Sequence, residues 1–426
     1  MSDHKIETKC IQSGYEPGNG EPRVLPIYQS TTYRYTSGEH LAKLFDLEAS
    51  GHMYTRISNP TVDAVENKIA DLEGGVGAMC TSSGQAANFI AIFNIASAGD
   101  NFLCLTSIYG GSVNLFGVTM KRMGIEARFI TPDVPDEEIE KLIDDRTRCI
   151  FGETIANPAL KVFDIERYAN LAHKYNMPLI VDNTFATPVF CRPFEFGADI
   201  VTHSTTKYMD GQATVVGGVI VDSGNFDWEA AGKYPELTEP DDSYHGVVYT
   251  KQFGNAAYIT KARTQLMRDL GATPQPLAVF LLNQGLGSLH VRVERHFKNA
   301  MAVAEYLEKH DMVESVSFPS LPSSPDYELT KKYLPNGSCG VISFVIKGGR
   351  ETAMKFMDSL ELAEIVVHVA DARTSVLHPA STTHRQLTDE QLIDCGISPG
   401  LIRFSVGIEN IDDIIADIDK AFSKIK

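Results

Sequence analysis

The chain predicts an α/β protein: a mostly parallel central sheet with helices on both faces, followed by a smaller C-terminal α+β domain. Three observations carry this. Between 76 and 221 short apolar runs alternate with helical patterns, the signature of strand-helix-strand units. Those runs stop in polar or glycine-containing turns, and the carboxyl ends of parallel strands are where such folds gather ligands. Finally, 426 residues exceed one ordinary core, and strand signals resume between 313 and 424 only after a long helical stretch.

Composition narrows the function classes. An apolar fraction of 43% with 22% charged residues is that of a soluble globular protein. A net charge of -17 argues against nucleic acid as a partner, which requires clustered Lys and Arg. The seven cysteines (10, 80, 104, 149, 191, 339 and 395) form no C-x-x-C pair and are odd in number. Several sit in apolar runs, so reduced thiols in a cytoplasmic protein are expected. Residues 1–17 lack an apolar signal core, and no run approaches a membrane span.

In chain order, residues 1–50 read as irregular, broken by Gly14, Pro17, Gly18, Gly20, Pro22 and Pro26. Such an arm cannot bury itself and is expected to lie against another domain or subunit. Tyr54-Thr55-Arg56 follows, and Asn59-Pro60-Thr61 opens a helix with Val62, Val65, Ile69 and Leu72 at helical spacing. An arginine there is a surface charge or an anion ligand delivered from outside the main domain. A strand is predicted at 76–81, and Ser82-Ser83-Gly84-Gln85 turns into an apolar helix over 86–96. That turn is an ordinary serine cap or, with its free N–H groups and its glycine, an anion site. Further strands are expected at 101–105, 126–130 and 148–154, with helices near 136–144 and 164–175. The segment from 222 to about 254 reads as irregular. A helical connector is expected over 257–270 and from 276 past 297, and a terminal helix from Ile411.

Leu179-Ile180-Val181-Asp182 is a buried strand ending in a carboxylate, which needs a cationic partner. That partner is a structural arginine or a protonated ring nitrogen. Twenty-five residues on, one strand-helix-strand step, His203-Ser204-Thr205-Thr206-Lys207-Tyr208 ends the next apolar run. A lysine flanked by hydroxyls at a strand end is either a solvated loop residue or the imine-forming lysine that pyridoxal phosphate (PLP) requires.

Taken together, these motifs resemble the Cys/Met-metabolism family of PLP enzymes from about Pro26 to the C-terminus. They are Tyr54-x-Arg56-x-x-Asn59-Pro60-Thr61, Asp182-Asn183-Thr184, His203-Ser204-Thr205-Thr206-Lys207-Tyr208, His378-Pro379-Ala380-Ser381 and Ile402-Arg403-Phe404-Ser405-Val406-Gly407. The resemblance implies the aspartate-aminotransferase-like architecture (fold type I) and PLP as cofactor. It divides the chain into an arm (1–60) on the neighbouring subunit, a large cofactor domain (61–270), and a connector with the C-terminal domain (271–426). The stretches 237–246, 268–272 and 282–286 resemble the sulfhydrylase members. They imply γ-replacement on O-acetylhomoserine by sulfide, giving homocysteine and acetate in methionine biosynthesis, with γ-elimination or cystathionine chemistry as the alternative.

Residue by residue, the resemblance implies that Lys207 binds the cofactor covalently and moves protons at Cα and Cβ. Asp182 pairs with the pyridinium nitrogen and Asn157 with the ring O3′. The N–H groups of Gly84 and Gln85 and the hydroxyls of Ser204 and Thr206 hold the phosphate. Tyr54 and Arg56 complete that cup from the neighbouring subunit, implying a dimer and, from pairs of dimers, a homotetramer. Tyr109 stacks on the ring and assists at the γ-leaving group, and Arg403 takes the substrate carboxylate.

Two departures stand out. Methionine γ-lyases of the family read Tyr-Gly-Cys after the stacking tyrosine, where this chain has Gly111, and that favours replacement over elimination. The loop that usually reads Asn-Leu-Gly-Asp is His368-Val369-Ala370-Asp371 here and receives no role. His378 and His384 do not form a metal pair, because a proline and a six-residue spacing break any helical arrangement. A dinucleotide fold needs G-x-G-x-x-G after a strand, whereas Gly74-Gly75-Val76-Gly77 precedes one. A cofactor-binding regulator without turnover would carry a basic DNA-binding segment, and the chain has no spare length for one.

Overall fold

The computed structural model describes residues 4–382, 385 and 398–425, and two sheets organise them. The larger has seven strands: β1 (Gly77–Thr81), β2 (Asn101–Leu105), β3 (Glu126–Ile130), β4 (Thr147–Glu153), β5 (Leu179–Asp182), β6 (Ile200–His203) and β7 (Gly218–Asp222). Their order is β1-β7-β6-β5-β4-β2-β3. Only β7 runs against its neighbours, so the sheet is mostly parallel, as expected. Strands β2, β4, β5, β6 and β7 are buried along their whole length, which explains their unbroken apolar runs.

The helices start where capping residues stand. In the helix α3 (Pro60–Glu73), Asn59 accepts the Thr61 N–H and Pro60 occupies the first turn; Gly74 closes it at φ 83°. The helix α4 (Gly84–Phe93) begins with the Ser83 hydroxyl accepting from Ala86 N and ends three residues short of the predicted 96. The helices Asp136–Glu140 and Ile165–Lys174 fall in their expected windows.

The arm departs from the irregular reading. It contains α1 (Ile6–Gln12) and α2 (Gly38–Phe45). The first is only seven residues long, and the second, although amphipathic, lies in a stretch that the surrounding glycines and prolines mark as broken. The first is held by tertiary contact: Cys10 is fully buried, Lys9 pairs with Asp71 at 2.8 Å, and Ser13 bonds the same carboxylate. The second is capped by Ser37. Residues 222–254 likewise contain short helical turns (Trp228–Ala231, Pro235–Thr238, Tyr249–Phe253) within an otherwise irregular path.

The C-terminal sheet has the order β10-β11-β12-β9-β8, from β8 (Val313–Ser317), β9 (Val341–Ile346), β10 (Glu364–Ile365), β11 (Ser375–Leu377) and β12 (Leu401–Ser405). One continuous apolar core runs beneath both sheets. Polar ties fix their relative position: the Tyr208 hydroxyl accepts from Gly340 N at 2.7 Å, Ser343 donates to the Pro158 carbonyl at 2.8 Å, and Ala372 N donates to the Gly211 carbonyl at 3.0 Å. Gly211, at φ 67°, is where the Arg292 guanidinium crosses the backbone; a Cβ there would overlap its Nη1. Arg292 in turn donates to the Tyr208 carbonyl at 2.8 Å, bracing the segment that carries Lys207.

Candidate active site

Adjacent parallel strands deliver the central pair. Strands β5 and β6 are neighbours in register, with Asp182 opposite Thr202, so Asp182 and the segment Ser204–Lys207 leave the sheet side by side. Asp182 is buried. Its Oδ1 accepts from Thr184 N at 3.1 Å and Thr184 Oγ1 at 2.5 Å, and its Oδ2 from Asn88 Nδ2 at 3.1 Å. All three donors are neutral. The cationic partner expected for this carboxylate is therefore not supplied by the described residues, which leaves an acceptor ready for a cationic ligand group.

Beside it lies a cradle of close backbone. The Ser83 side chain occupies Ala86 N, and the N–H groups of Gly84 and Gln85 precede the first intrahelical bond of α4. A Cβ on Gly84 would sit 2.7 Å from Ser204 Cβ, and one on Gly218 would sit 2.2 Å from the Ser83 carbonyl oxygen. The Thr206 hydroxyl accepts from Gly217 N at 3.0 Å and donates to the Gly217 carbonyl at 3.2 Å. Ser204 N donates to Thr184 Oγ1 at 2.8 Å, joining the cradle to the Asp182 network. Only glycines permit this approach, and it leaves the Gly84 and Gln85 N–H groups at the helix start beside Ser204, an arrangement suited to an anion such as phosphate.

Lys207 is partly buried and, among the described residues, has no carboxylate within ion-pair distance. Burial, then the nearby Arg403 guanidinium, pull its pKa down from 10.5 to about 8, with Asp371 opposing. An amine of that kind keeps a neutral fraction near neutral pH and can serve as base or nucleophile. Arg403, on β12, is buried and, among the described residues, pairs with no carboxylate. It donates to the Val367 carbonyl at 3.0 Å and to Asn157 Oδ1 at 3.5 Å, while its Nε has no partner. Burial pushes its pKa down to about 10, with Tyr109 opposing. A buried guanidinium whose Nε meets no acceptor among the described residues suits a further anionic partner such as a carboxylate.

Tyr109 is half exposed, and its N–H donates to Glu153 Oε2 at 2.6 Å. Burial, then the neighbouring Asp182 charge, raise the Glu153 carboxyl well above the usual range. A Cβ on Gly111 would lie 2.4 Å from the Tyr109 ring and 2.7 Å from the Gln85 amide nitrogen. The Gln85 side chain is in turn fixed by Ser112 at 3.3 Å.

The predicted residues Gly84, Gln85, Tyr109, Asn157, Asp182, Ser204, Thr206, Lys207 and Arg403 thus converge on one crevice. Tyr54 and Arg56 do not join them within a single chain. Arg56 hydrogen-bonds the Arg268 carbonyl and lies 5.0 Å from the centre of the Tyr54 ring, which is itself exposed. His378 bonds Ser381 and the Pro399 carbonyl, whereas His384 lies outside the described residues. Sequence reasoning missed Asn88, Glu153 and His368. Asn88 had a signal, an amide one turn after Gln85 in an otherwise apolar helix; Glu153 ended an apolar strand just as Asp182 does. His368 stood in the loop that received no role.

Comparison with known proteins places this arrangement. The family model for Cys/Met metabolism PLP-dependent enzymes matches residues 7–423. The homocysteine synthase of Schizosaccharomyces pombe is 48% identical over 423 residues, 99% of this chain and 98% of the relative. The O-acetyl-L-homoserine sulfhydrylase of Leptospira meyeri is 42% identical over 99% of this chain and 97% of its own. Among solved structures, a Campylobacter jejuni protein described as an O-acetylhomoserine (thiol)-lyase superposes with a TM-score of 0.94 at 37% identity, covering 99% of this chain and 100% of the other. That structure carries an N'-pyridoxyl-lysine-5'-monophosphate. The two-sheet architecture is accordingly that of fold type I, and the chain belongs to the Cys/Met metabolism family of PLP-dependent enzymes.

Proposed function

We propose that the chain catalyses γ-replacement on O-acetyl-L-homoserine by sulfide, releasing L-homocysteine and acetate. One observation carries this: Lys207, a base whose pKa is pulled down to about 8, stands beside the buried Arg403 guanidinium, which meets no carboxylate among the described residues. That pair suits an α-amino acid whose carbon protons must be removed. PLP, when bound, supplies the electron sink for charge left at Cα and Cβ. The residues fit it. Asp182 would hold the ring nitrogen, and Asn157 the ring O3′. The Gly84 and Gln85 N–H groups with Ser204 and Thr206 would hold the phosphate, and Lys207 would make the covalent attachment. Tyr109 would cover the ring.

The residues' own work follows from their positions. Arg403 orients the substrate by its carboxylate. Lys207, neutral in part, takes a proton at Cα and then at Cβ, after which the γ-acetyl oxygen can leave. Gly111 favours replacement over elimination. A cysteine there would force the Tyr109 ring or the Gln85 amide to move, whereas glycine leaves the ring in place. On one enzyme batch, homocysteine formation from the ester plus sulfide is expected to exceed 2-oxobutyrate formation from methionine at least about tenfold in kcat/KM, roughly 1.4 kcal/mol of transition-state preference. Equal or faster methionine cleavage would move the chain to the γ-elimination reading.

The proposal includes a cytoplasmic homotetramer whose dimers share active sites, with the division 1–60, 61–270 and 271–426. Support comes from the arm, where Ile11, Val24, Ile27, Tyr28, Phe45 and Tyr54 are all exposed on one chain. Arg56 and Tyr54 would then enter the partner's phosphate cradle. Mixing Arg56→Ala chains with Lys207→Ala chains under conditions of proven subunit exchange is expected to restore activity, because a hybrid dimer contains one intact site. If verified hybrids stay inactive, Arg56 serves its own subunit or no site at all.

A further inference from the structure

Residue 368 departs from the asparagine usual in this loop, and the structure brings its imidazole to Lys207. His368 Nδ1 lies 3.4 Å from Lys207 Nζ, across 161 residues of sequence. The other ring nitrogen, Nε2, is shielded from solvent and has no partner among the described residues. The loop is held firmly. The Val367 carbonyl accepts from Arg403 at 3.0 Å, Ala370 N donates to Ser405 Oγ at 2.8 Å, and Ala372 N donates to the Gly211 carbonyl at 3.0 Å. Ala370 sits at φ 69°, a backbone conformation that costs a non-glycine residue energy and is kept only where surrounding contacts impose it. Asparagine at 368 could hydrogen-bond the lysine. Only histidine could also take its proton.

We propose that His368 is the proton-exchange partner of Lys207, acting on the reaction through that lysine. γ-Replacement asks one amine to remove two carbon protons in succession, so the first must be passed on before the second is taken. In the exchange, the Nζ–H bond of the Lys207 ammonium breaks, its electron pair stays on the amine, and the Nδ1 lone pair forms the new N–H bond. The imidazolium holds that proton while the amine takes the one at Cβ, and returns it through Nδ1 once Lys207 has given the second proton back to Cβ. Charge and protons balance, and no other reactant is needed.

The groups facing His368 set the sign. Burial comes first and lowers its pKa; the Lys207 charge lowers it further and Arg373 adds to this, while Asp371 and Asp210 oppose. Arg403, beyond Lys207, favours the neutral amine. The imidazole is therefore neutral above the usual histidine range and available as an acceptor. It is blocked by protonation only on the acid side.

The proposal rests on Lys207 as the base of the γ-replacement site and not on the identity of the ester, so two arms separate the two readings. In the first, the full chain stripped of cofactor is labelled with acetic anhydride across pH, and Lys207 acylation is followed by mass spectrometry. Loss of an acceptor disfavours the ammonium, so His368→Ala is expected to lower the labelling midpoint by at least about 0.5 pH unit, whereas His368→Asn, which keeps an acceptor, should stay within about 0.2. An unchanged midpoint in His368→Ala means the two side chains do not interact and overturns the proposal, whatever the substrate. In the second arm, kcat for homocysteine formation is measured against pH. Both variants should lose about tenfold in kcat with KM changed less than about twofold, and the acid limb should lose one ionisation. A His368→Asn enzyme with the wild-type kcat and acid limb would show that histidine merely tethers the lysine, and the relay would be wrong.

Discussion

Lys207→Ala is expected to reduce turnover at least about a thousandfold, roughly 4 kcal/mol of barrier, because it removes both the covalent attachment and the base. After borohydride treatment the wild-type chain should retain the cofactor on the peptide containing Lys207, and the variant should not. Misfolding is not the expected cause of the loss. Burial and Arg403 both oppose the lysine's charge, and its neighbour His368 is no counter-ion. The sign follows from a folded pKa of about 8 against an unfolded value near 10.5. The protonated amine penalises the native state fully below pH 8, and the penalty fades as pH rises toward 10.5. The cofactor-free variant should thus melt no lower than the cofactor-free wild type at pH 7. A variant that keeps both full turnover and a borohydride-trapped cofactor would remove Lys207 from the centre of the site.

Asp182→Asn is expected to lower kcat at least about a hundredfold, roughly 2.7 kcal/mol, and to loosen the cofactor on dialysis. The carboxylate faces three neutral donors, from Thr184 N, Thr184 Oγ1 and Asn88 Nδ2. An amide in its place can accept from one side only, and its NH2 group must then face a donor. Asn88 cannot simply turn round to help, since its Oδ1 already accepts from Thr202 Oγ1 at 2.6 Å. The substitution therefore removes the negative charge that a protonated ring nitrogen needs and also disturbs the network that aims residue 182. Kinetics together with retained cofactor after dialysis separate the outcomes. Near-normal kcat with firmly held cofactor would mean that Asp182 has only a structural role.

Most of the scaffold was legible because it is local. An apolar run that stops abruptly, as at Asp182 or before Ser204, marks both a buried strand and the point where it surfaces. Asn59-Pro60 and Ser83-Gly84 mark helix starts through capping chemistry confined to a few residues. Lys207 and its hydroxyl neighbours are likewise contiguous in the chain. The first helix of the arm was not legible, since Ile6–Gln12 is stabilised by Cys10 and Lys9 packing on a helix some sixty residues away in sequence; the second carried a local Ser37 cap and an amphipathic pattern that the irregular reading passed over.

Partnership was decided by topology alone. Asn88 reaches Asp182 over 94 residues, Arg403 reaches Asn157 over 246, and Lys207 meets His368 over 161. Periodicity tells which face of an element is buried, but the strand order β1-β7-β6-β5-β4-β2-β3 and the docking of the second sheet determine what that face meets. By itself, then, the sequence determined that a lysine, an aspartate and a glycine-lined helix start would emerge at strand ends. Only the tertiary structure decided that the aspartate would meet no cation among the described residues, that the guanidinium Nε would be left without an acceptor among them, and that a histidine would stand beside the lysine. Each of those is a relation between distant segments, set by packing that no short stretch of chain encodes.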